Sequence, residues 1–153
     1  MAGGKIREAV AGDDQALARM RAELWPESSM EEHARELRTI LAGEAGAAGV
    51  QVFVWESEGG TLTGFVETRL RSHADGCYES RPVGYLEGWF VTKDCRRQGI
   101  GAALVRAAEH WARGQSCQEM ASDAEIANEV SQRAHEALGF TAVSRVVTYR
   151  KTL

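Results

Sequence analysis

The chain lacks long apolar runs and has few cysteines and prolines. Its 153 residues include three cysteines and two prolines, and no window approaches the roughly 20 apolar residues of a membrane span. The opening residues, MAGGKIREAV, lack the apolar stretch of a secretory signal. The odd cysteine count, without paired spacing, predicts free thiols and a reducing compartment. We therefore expect a cytoplasmic protein that contacts no membrane.

The chain also lacks a basic excess and the motifs of several common sites. Its 18 basic residues against 22 acidic ones give a formal charge of −4, which argues against non-specific binding to nucleic acid. No phosphate-binding G-x-x-x-x-G-K-[ST] occurs. The stretch HEALG has Gly139 where a zinc helix needs its second histidine, so we expect no metal.

The pattern of the remaining residues predicts one α/β domain spanning residues 1–153. Strand-like segments at 5–10, 50–56, 61–71 and 84–91 are followed by a strand at 117–122 and closing strands in 141–153. Helical periodicity covers Asp13 to Pro26, Ser28 or Ser29 to about Leu41, 101–114 and 128–139. This order predicts a sheet with helices on both faces, and Gly88 inside an apolar strand predicts a bulge.

The stretch CRRQGIGAAL (95–104) has the chemistry of a phosphate site. Gly99 and Gly101 follow a strand and open a helix, whose first N–H groups have no partner within the helix. Glycine leaves such a backbone accessible, and Arg96 and Arg97 add charged donors. The site suits a pyrophosphate, although a glycine pair can also serve only as a turn.

RRQGIGA, from Arg96, resembles the [Q/R]-x-x-G-x-[G/A] signature of the GNAT superfamily of N-acetyltransferases, and NEVSQRAHEALGF resembles its next helix. The resemblance covers nearly the whole chain and implies a GNAT fold, with a mixed, mostly antiparallel sheet. It implies acetyl-CoA as co-substrate, a pyrophosphate held by peptide nitrogens of 97–102, and a pantetheine arm along the bulged strand. The implied cofactor-binding residues are Phe90, Val91, Arg96, Arg97, Gln98, Gly99, Ile100, Gly101, Ala102 and Asn128.

His135 stands where the GNAT family usually has a tyrosine that acts as general acid toward the departing thiolate. The resemblance therefore makes His135 a candidate acid, although a thiol with a pKa near ~8.5 can leave without one. The alternative is a helix histidine with no catalytic role.

A closer resemblance is to the small aminoglycoside 6′-N-acetyltransferases, carried by LWP (24–26), PVGYLEGWFV, CQEMASD and VVTYRK. It implies that Trp25 lines the sugar cleft and that Glu87 and Asp123 contact the drug. The tyrosine of that branch is replaced near Ala74, and Tyr78 is the candidate substitute. The same resemblance implies a homodimer.

The chemistry of acyl transfer supports this interpretation. An attacking amine must be neutral, yet alkyl amines have a pKa near ~10, and a carboxylate can attract the ammonium and accept its proton. Glu87 and Asp123 are the candidates, and N–H groups of Phe90 or Val91 would stabilise the oxyanion. The alternatives are a structural ion pair at Glu87, a helix cap at Asp123 and core packing for Trp25.

The function predicted is acetyl transfer to the 6′-amine of an aminoglycoside in a ternary complex. Two alternatives remain open at this point. One is transfer to another polyamine or to a protein amine, because the acidic pair favours polycations in general. The other is an acetyl-CoA-binding sensor that performs no transfer.

Overall fold

The computed structural model describes residues 3–44, 48–78 and 81–153. Five strands form one sheet in the order β1-β2-β3-β4-β5. The first four strands pair antiparallel and β5 pairs parallel to β4, so the sheet is mixed and mostly antiparallel, as the sequence predicts. The strands are β1 Gly4–Glu8, β2 Val50–Ser57, β3 Leu62–Arg71, β4 Val83–Val91 and β5 Met120–Ser122.

Four α-helices lie in the described part of the chain, and their bounds agree closely with the predicted ones. Short 3-10 turns at Ala11–Asp13 and Lys93–Cys95 precede the first and third helices. None of the helices in the described residues is both long enough and apolar enough to cross a membrane. The helices are α1 Asp14–Leu24, α2 Met30–Leu41, α3 Ile100–Gly114 and α4 Glu129–Ala137.

Local sequence explains where the helices begin and end. Ser29 begins α2 with a reciprocal capping box, since its hydroxyl accepts from the Glu32 N–H and the Glu32 carboxylate accepts from the Ser29 N–H. Pro26 follows the end of α1. Gly139, with φ of +91°, follows the end of α4. The glycine-rich break predicted after α2 lies partly outside the described residues.

Strand alternation gives the sheet two apolar faces, and helices cover both. Phe65 and Phe90 pack with Leu17 of α1 and Leu37 of α2 on one face. Val66 packs with the side chains of α3 on the other, where Leu138 and Phe140 after α4 also lie. Helices on both faces are therefore confirmed. The arrangement places the start of α3 and the end of α1 beside β4, where the predicted site residues lie.

The prediction of closing strands in 141–153 is wrong for a single copy of the chain. None of these residues is in a strand, and all are exposed, although Val143, Val146 and Val147 are β-branched. β-propensity reflects packing on a sheet, and in one copy these residues pair with neither edge strand, β1 or β5. The predicted strand at 117–122 also begins later, at Met120, because the Cys117 N–H bonds to the Ala112 carbonyl and closes α3.

Candidate active site

A β-bulge in β4 creates the site. Glu67 of β3 pairs with Gly88, and the next residue of β3, Thr68, pairs with Leu86, so Glu87 has no partner in the ladder. The bulge predicted from Gly88 is therefore confirmed. A Cβ atom at Gly88 would lie 2.6 Å from Cη2 of Trp25, so only glycine lets the indole pack against the bulge.

An open cleft of about 460 Å³ lies beside the bulge, between α1, α2 and the ends of β3 and β4. The structure brings two predicted residues together there, Trp25 and Glu87. Trp25 is half-buried, with its ring centroid 6.3 Å from that of His33. The other lining residues include Ser28, Glu67, Arg69 and Arg71. The cleft thus carries an aromatic wall and charges of both signs.

Glu87 is paired with an arginine in this structure. The Arg71 guanidinium donates three hydrogen bonds of 2.8–2.9 Å to the two carboxylate oxygens of Glu87. A second cation, Arg69, has its Nε 3.8 Å from Oε1 of Glu87. The pair is only half-buried, with side chains 39% and 22% exposed. The ion pair considered from sequence as an alternative for Glu87 therefore exists, and it stands at the surface of the cleft.

The same arginine connects Glu87 to Asp123. The Arg71 guanidinium carbon lies 3.5 Å from the centroid of the Tyr85 ring, a cation–π contact. The Tyr85 hydroxyl in turn donates a 2.6 Å hydrogen bond to Oδ2 of Asp123, which follows β5 and is exposed. Burial and then the Asp123 carboxylate raise the pKa of Tyr85 above its ordinary value, so the phenol remains a donor. Two carboxylates predicted to contact substrate are thus joined through one cation and one phenol.

A second arginine–glutamate pair supports the floor of the cleft. Arg21 of α1 donates three bonds of 2.8–3.1 Å to Glu67, and both side chains are only 4% exposed. Its third nitrogen donates to Glu36 of α2 at 2.8 Å. Burial raises the pKa of Glu67, and the neighbouring guanidinium counteracts this only in part. The triad ties α1 and α2 to β3.

The predicted phosphate cradle lies where β4 and β5 separate. β5 pairs with β4 only from Gly84 to Leu86, so from the bulge onward β4 has no ladder partner on that side in the described residues. Phe90 and Val91 lie in this stretch and pair with β3. The side chain of Phe90 is buried in the core with Leu17 and Leu37, so its backbone is what it can offer to a ligand.

The loop from β4 to α3 is shaped by two residues with positive φ. Arg97 has φ of +60° and Gly99 has φ of +82°, and both are exposed. No atom lies within 4 Å of a Cβ atom built on Gly99, so the space over the start of α3 is open to a ligand. Arg96 donates through Nε to the Val91 carbonyl at 2.9 Å, which ties the loop to β4.

The other loop residues have more structural roles than the sequence indicates. Gln98 donates to the Asp94 carbonyl at 3.3 Å, and the Ile100 side chain is buried in the core. Trp89 donates through Nε1 to the Gly101 carbonyl, and a Cβ atom at Gly101 would lie 3.2 Å from that nitrogen. The indole by itself therefore accounts for a glycine at position 101. Ala102 is half-buried in the first turn of α3.

Two candidate residues, one that caps α4 and one within it, make contacts within the protein. The Asn128 side-chain oxygen accepts from the Ser131 N–H at 3.0 Å and caps the helix. His135 Nδ1 lies 2.7 Å from the Ser131 carbonyl, and its Nε2 lies 2.7 Å from the Ser122 hydroxyl. A carbonyl only accepts, so Nδ1 carries a proton. In neutral His135, Nε2 is then an acceptor.

Tyr78 is not brought to the cleft. Its side chain is 76% exposed and its N–H donates to Glu119.

Sequence reasoning missed Arg71, Arg69 and Tyr85. A signal for the first two exists: Glu67, Arg69 and Arg71 alternate along β3 and so share a face. Within the described ranges, no group of three histidine, cysteine, aspartate or glutamate residues is placed to hold a metal ion.

Known acetyltransferases are similar to this chain in sequence. The profile of the acetyltransferase (GNAT) family matches residues 15–140. An aminoglycoside N(6′)-acetyltransferase type 1 of Klebsiella aerogenes is 43% identical over 148 residues, which is 97% of this chain and 96% of that protein. One from Serratia marcescens is 45% identical over 135 residues, covering 88% of this chain and 89% of that protein.

Two solved structures have the same fold. AAC(6′)-Iy in complex with the bisubstrate analogue CoA-S-monomethyl-acetylneamine superposes with a TM-score of 0.87 at 31% identity, covering 99% of this chain and 100% of that one. AAC(6′)-Ih from Acinetobacter baumannii superposes with a TM-score of 0.87 at 30% identity, covering 99% of each chain.

Proposed function

Because the chain belongs to the acetyltransferase (GNAT) family, we propose that it transfers the acetyl group of acetyl-CoA directly to the 6′-amine of an aminoglycoside antibiotic, giving resistance. One observation carries the proposal. A carboxylate, Glu87, stands on the bulge of β4 and faces a cleft walled by Trp25. The same strand leads on to the open start of α3 at Gly99. An amine site and a phosphate site therefore adjoin one strand.

The chain's own residues fit acetyl-CoA, which when bound supplies an acyl group activated as a thioester. The open space over Gly99 and the positive φ at Arg97 and Gly99 leave the backbone accessible to a diphosphate. Arg96 and Arg97 supply charge, while Gln98, Ile100, Gly101 and Ala102 contribute through their N–H groups. The free side of β4 at Phe90 and Val91 offers backbone groups to the pantetheine arm and to the acyl oxygen.

Glu87 and Asp123 act on the amine. Their negative charge attracts an ammonium group, and a carboxylate within hydrogen-bond reach accepts its proton directly or through water, which leaves the amine nucleophilic. Tyr85 fixes the orientation of Asp123 through its 2.6 Å hydrogen bond. Trp25 provides an apolar surface for the sugar ring.

His135 requires a second proton to act as the acid proposed for the leaving thiolate. In the neutral form its Nδ1 proton is held by the Ser131 carbonyl and Nε2 accepts from Ser122. As imidazolium, His135 would donate from Nε2 to Ser122 Oγ. The hydroxyl proton of Ser122 would then be free to pass to the leaving thiolate. Asn128, at the start of the same helix, retains its amide N–H groups for the cofactor.

Purified enzyme, acetyl-CoA and kanamycin test the function, with thiol release and product mass as readouts. Release of one thiol per acetylated drug, with the acetyl group located at the 6′-nitrogen, supports the proposal. Equal or faster release with spermidine or a peptide amine would favour the wider amine acetyltransferase. Binding of acetyl-CoA without release with any amine would favour the sensor.

We also propose that the chain forms a homodimer through residues 141–153. This segment exposes Val143, Val146, Val147 and Tyr149, which are 62–92% exposed in a single copy. Extended β-branched segments with free backbone groups pair with other strands. Light scattering of the full chain should give twice the 16.7 kDa mass of one copy. A monomer at micromolar concentration would contradict this.

We propose a cytoplasmic location as well, because the three cysteines are all free in the structure. Cys117 is buried and Cys77 and Cys95 are half-buried. Fractionation of cells that express the chain, with a periplasmic marker as control, tests this location.

A further inference from the structure

We propose that Arg71 is an internal substitute for a substrate ammonium group: it occupies Glu87 in the free enzyme and must be displaced when a polycation binds. This inference rests on the proposed function, because it concerns the same cleft. It makes Arg71 a residue that determines affinity and specificity.

The contacts of Arg71 correspond to those that an amino sugar would need. Its guanidinium forms three hydrogen bonds to Glu87 and lies on the face of Tyr85, whose hydroxyl holds Asp123. Both carboxylates proposed to receive the substrate are thus connected to one cation of the chain itself. The three bonds take two acceptor positions on Oε1 and one on Oε2, so a substrate ammonium group cannot bind both oxygens of Glu87 while all three are in place.

Exposure shows which of the two arginine pairs can exchange. The Arg71 and Glu87 side chains are 39% and 22% exposed, so water and an incoming amine reach both groups. Arg71 is also at the last position of β3, where its side chain has solvent on one side. The Arg21–Glu67 pair, at 4% exposure for both side chains, offers no such access. Exposed ion pairs contribute little net free energy, so an ammonium group competes at low cost.

The charge of the cleft supports the same conclusion. Among its lining residues, Glu27, Glu36, Glu67 and Glu87 face Arg21, Arg69 and Arg71. This near balance is unusual for a surface that would receive several ammonium groups. Movement of Arg71 away from Glu87 frees the hydrogen-bonding positions of that carboxylate and leaves Arg69, at 3.8 Å, as its one neighbouring cation among the lining residues.

Calorimetric binding of kanamycin, without acetyl-CoA, tests the inference with three single variants and one double variant. Arg71→Met keeps an apolar side chain over Tyr85 and should tighten kanamycin binding about fivefold. Arg69→Met is the matched control, because Arg69 carries the same charge at the same 39% exposure but makes no hydrogen bond to Glu87. It should change affinity less than twofold. In a Glu87→Gln background, Arg71→Met should have no effect.

Guanidinium chloride at millimolar concentration should weaken kanamycin binding to Arg71→Met more than sodium chloride at the same concentration does, because free guanidinium can replace the missing side chain at Glu87. For the unmodified protein the two salts should have the same effect. Weaker binding by Arg71→Met would overturn the inference and make Arg71 a residue that positions Glu87. If Arg69→Met and Arg71→Met raised the affinity for kanamycin equally, the effect would come from net charge alone, and the inference would be overturned. The same holds if Arg71→Met still raised the affinity in the Glu87→Gln background. Absence of kanamycin binding in every variant would overturn it as well.

The two proposals fail separately. Acetyl transfer to kanamycin by the unmodified protein is measured with acetyl-CoA, whereas displacement of Arg71 is measured without it. Transfer combined with unchanged affinity in Arg71→Met would refute only the inference. Binding that tightens in Arg71→Met without any transfer would refute only the function.

Discussion

Two arginine–glutamate pairs lie in one cleft, have nearly the same hydrogen-bond geometry and differ mainly in their access to water. Arg21 and Glu67 are each 4% exposed and link α1 to β3. Arg71 and Glu87 are 39% and 22% exposed, and Glu87 stands on the bulge. A buried pair cannot lose one partner cheaply, because the remaining charge stays without solvent. A half-exposed pair can exchange partners. Burial therefore assigns the first pair to the fold, whereas the second is accessible enough for the role that we propose for it.

The largest expected effect comes from breaking the buried pair. Arg21→Met leaves Glu67 buried without its cation and should lower the free energy of unfolding by about 3–5 kcal/mol. Thermal unfolding should then begin roughly 10 °C lower. Arg38→Met, which removes a surface partner of Asp14, is the control and should shift stability by less than about 0.5 kcal/mol. Equal stability of the two variants would contradict a structural role for Arg21.

The same variant has a pH dependence of known sign. Burial raises the pKa of Glu67, and loss of Arg21 raises it further. A carboxyl group whose pKa is higher in the folded than in the unfolded state stabilises the fold when it is protonated. This contribution is lost as the pH rises from the pKa of the unfolded state, about 4.3, through the pKa of the folded state. The stability difference between Arg21→Met and the unmodified protein should thus be smaller at pH 5 than at pH 8. A difference independent of pH would exclude Glu67 as its source.

The second effect in size tests the exposed pair. Glu87→Gln should lower kcat/KM for kanamycin about 100-fold, because the amine loses its proton acceptor. Stability and acetyl-CoA affinity should change little. Glu56→Gln is a matched control, since Glu56 is also 22% exposed and pairs with Arg7 outside the cleft. Loss of acetyl-CoA affinity in Glu87→Gln would count against an amine-specific role.

A third variant separates the cleft from the cradle. Gly99→Val places a β-branched residue at φ of +82° over the open start of α3 and should weaken acetyl-CoA binding at least ~10-fold. Gly43→Val carries the same strain at φ of +68°, also in open space, and should leave acetyl-CoA binding unchanged. Retained cofactor affinity in Gly99→Val, measured by calorimetry, would refute the cradle.

The smallest expected effect concerns the link to Asp123. Tyr85→Phe removes the hydroxyl that donates to Asp123 while keeping the ring under Arg71. We expect KM for kanamycin to rise about threefold to fivefold with little change in kcat, because one hydrogen bond that orients the carboxylate is lost. Asp123→Asn should raise KM at least as much. An effect of Tyr85→Phe on acetyl-CoA affinity would point to a different role for the phenol.

Much of the fold follows from local sequence, and the errors occur where a distant partner decides. Ser29 and Glu32 define the start of α2 by contacts within one turn. Gly88 marks the bulge correctly, but the reason, close packing by Trp25, requires two elements 63 positions apart in the chain, as their residue numbers show. The closing strands fail for a similar reason, since residues 141–153 have the right composition but pair with neither edge strand, β1 or β5, in one copy.

Sequence by itself determined the order of elements from β1 to α4, the turn at Gly99 and the start of α3, because capping, periodicity and turn chemistry act over a few residues. The choice of Glu87 and Asp123 as candidate carboxylates came from the resemblance to aminoglycoside 6′-N-acetyltransferases. Only the tertiary structure decided that Arg71 lies on Tyr85 and holds Glu87, that Arg21 neutralises Glu67 out of solvent, and that Tyr78 stays away from the cleft. These contacts join residues that are 14 to 46 positions apart, and the pairing of β3 with β4 and the burial around them determine which charges meet.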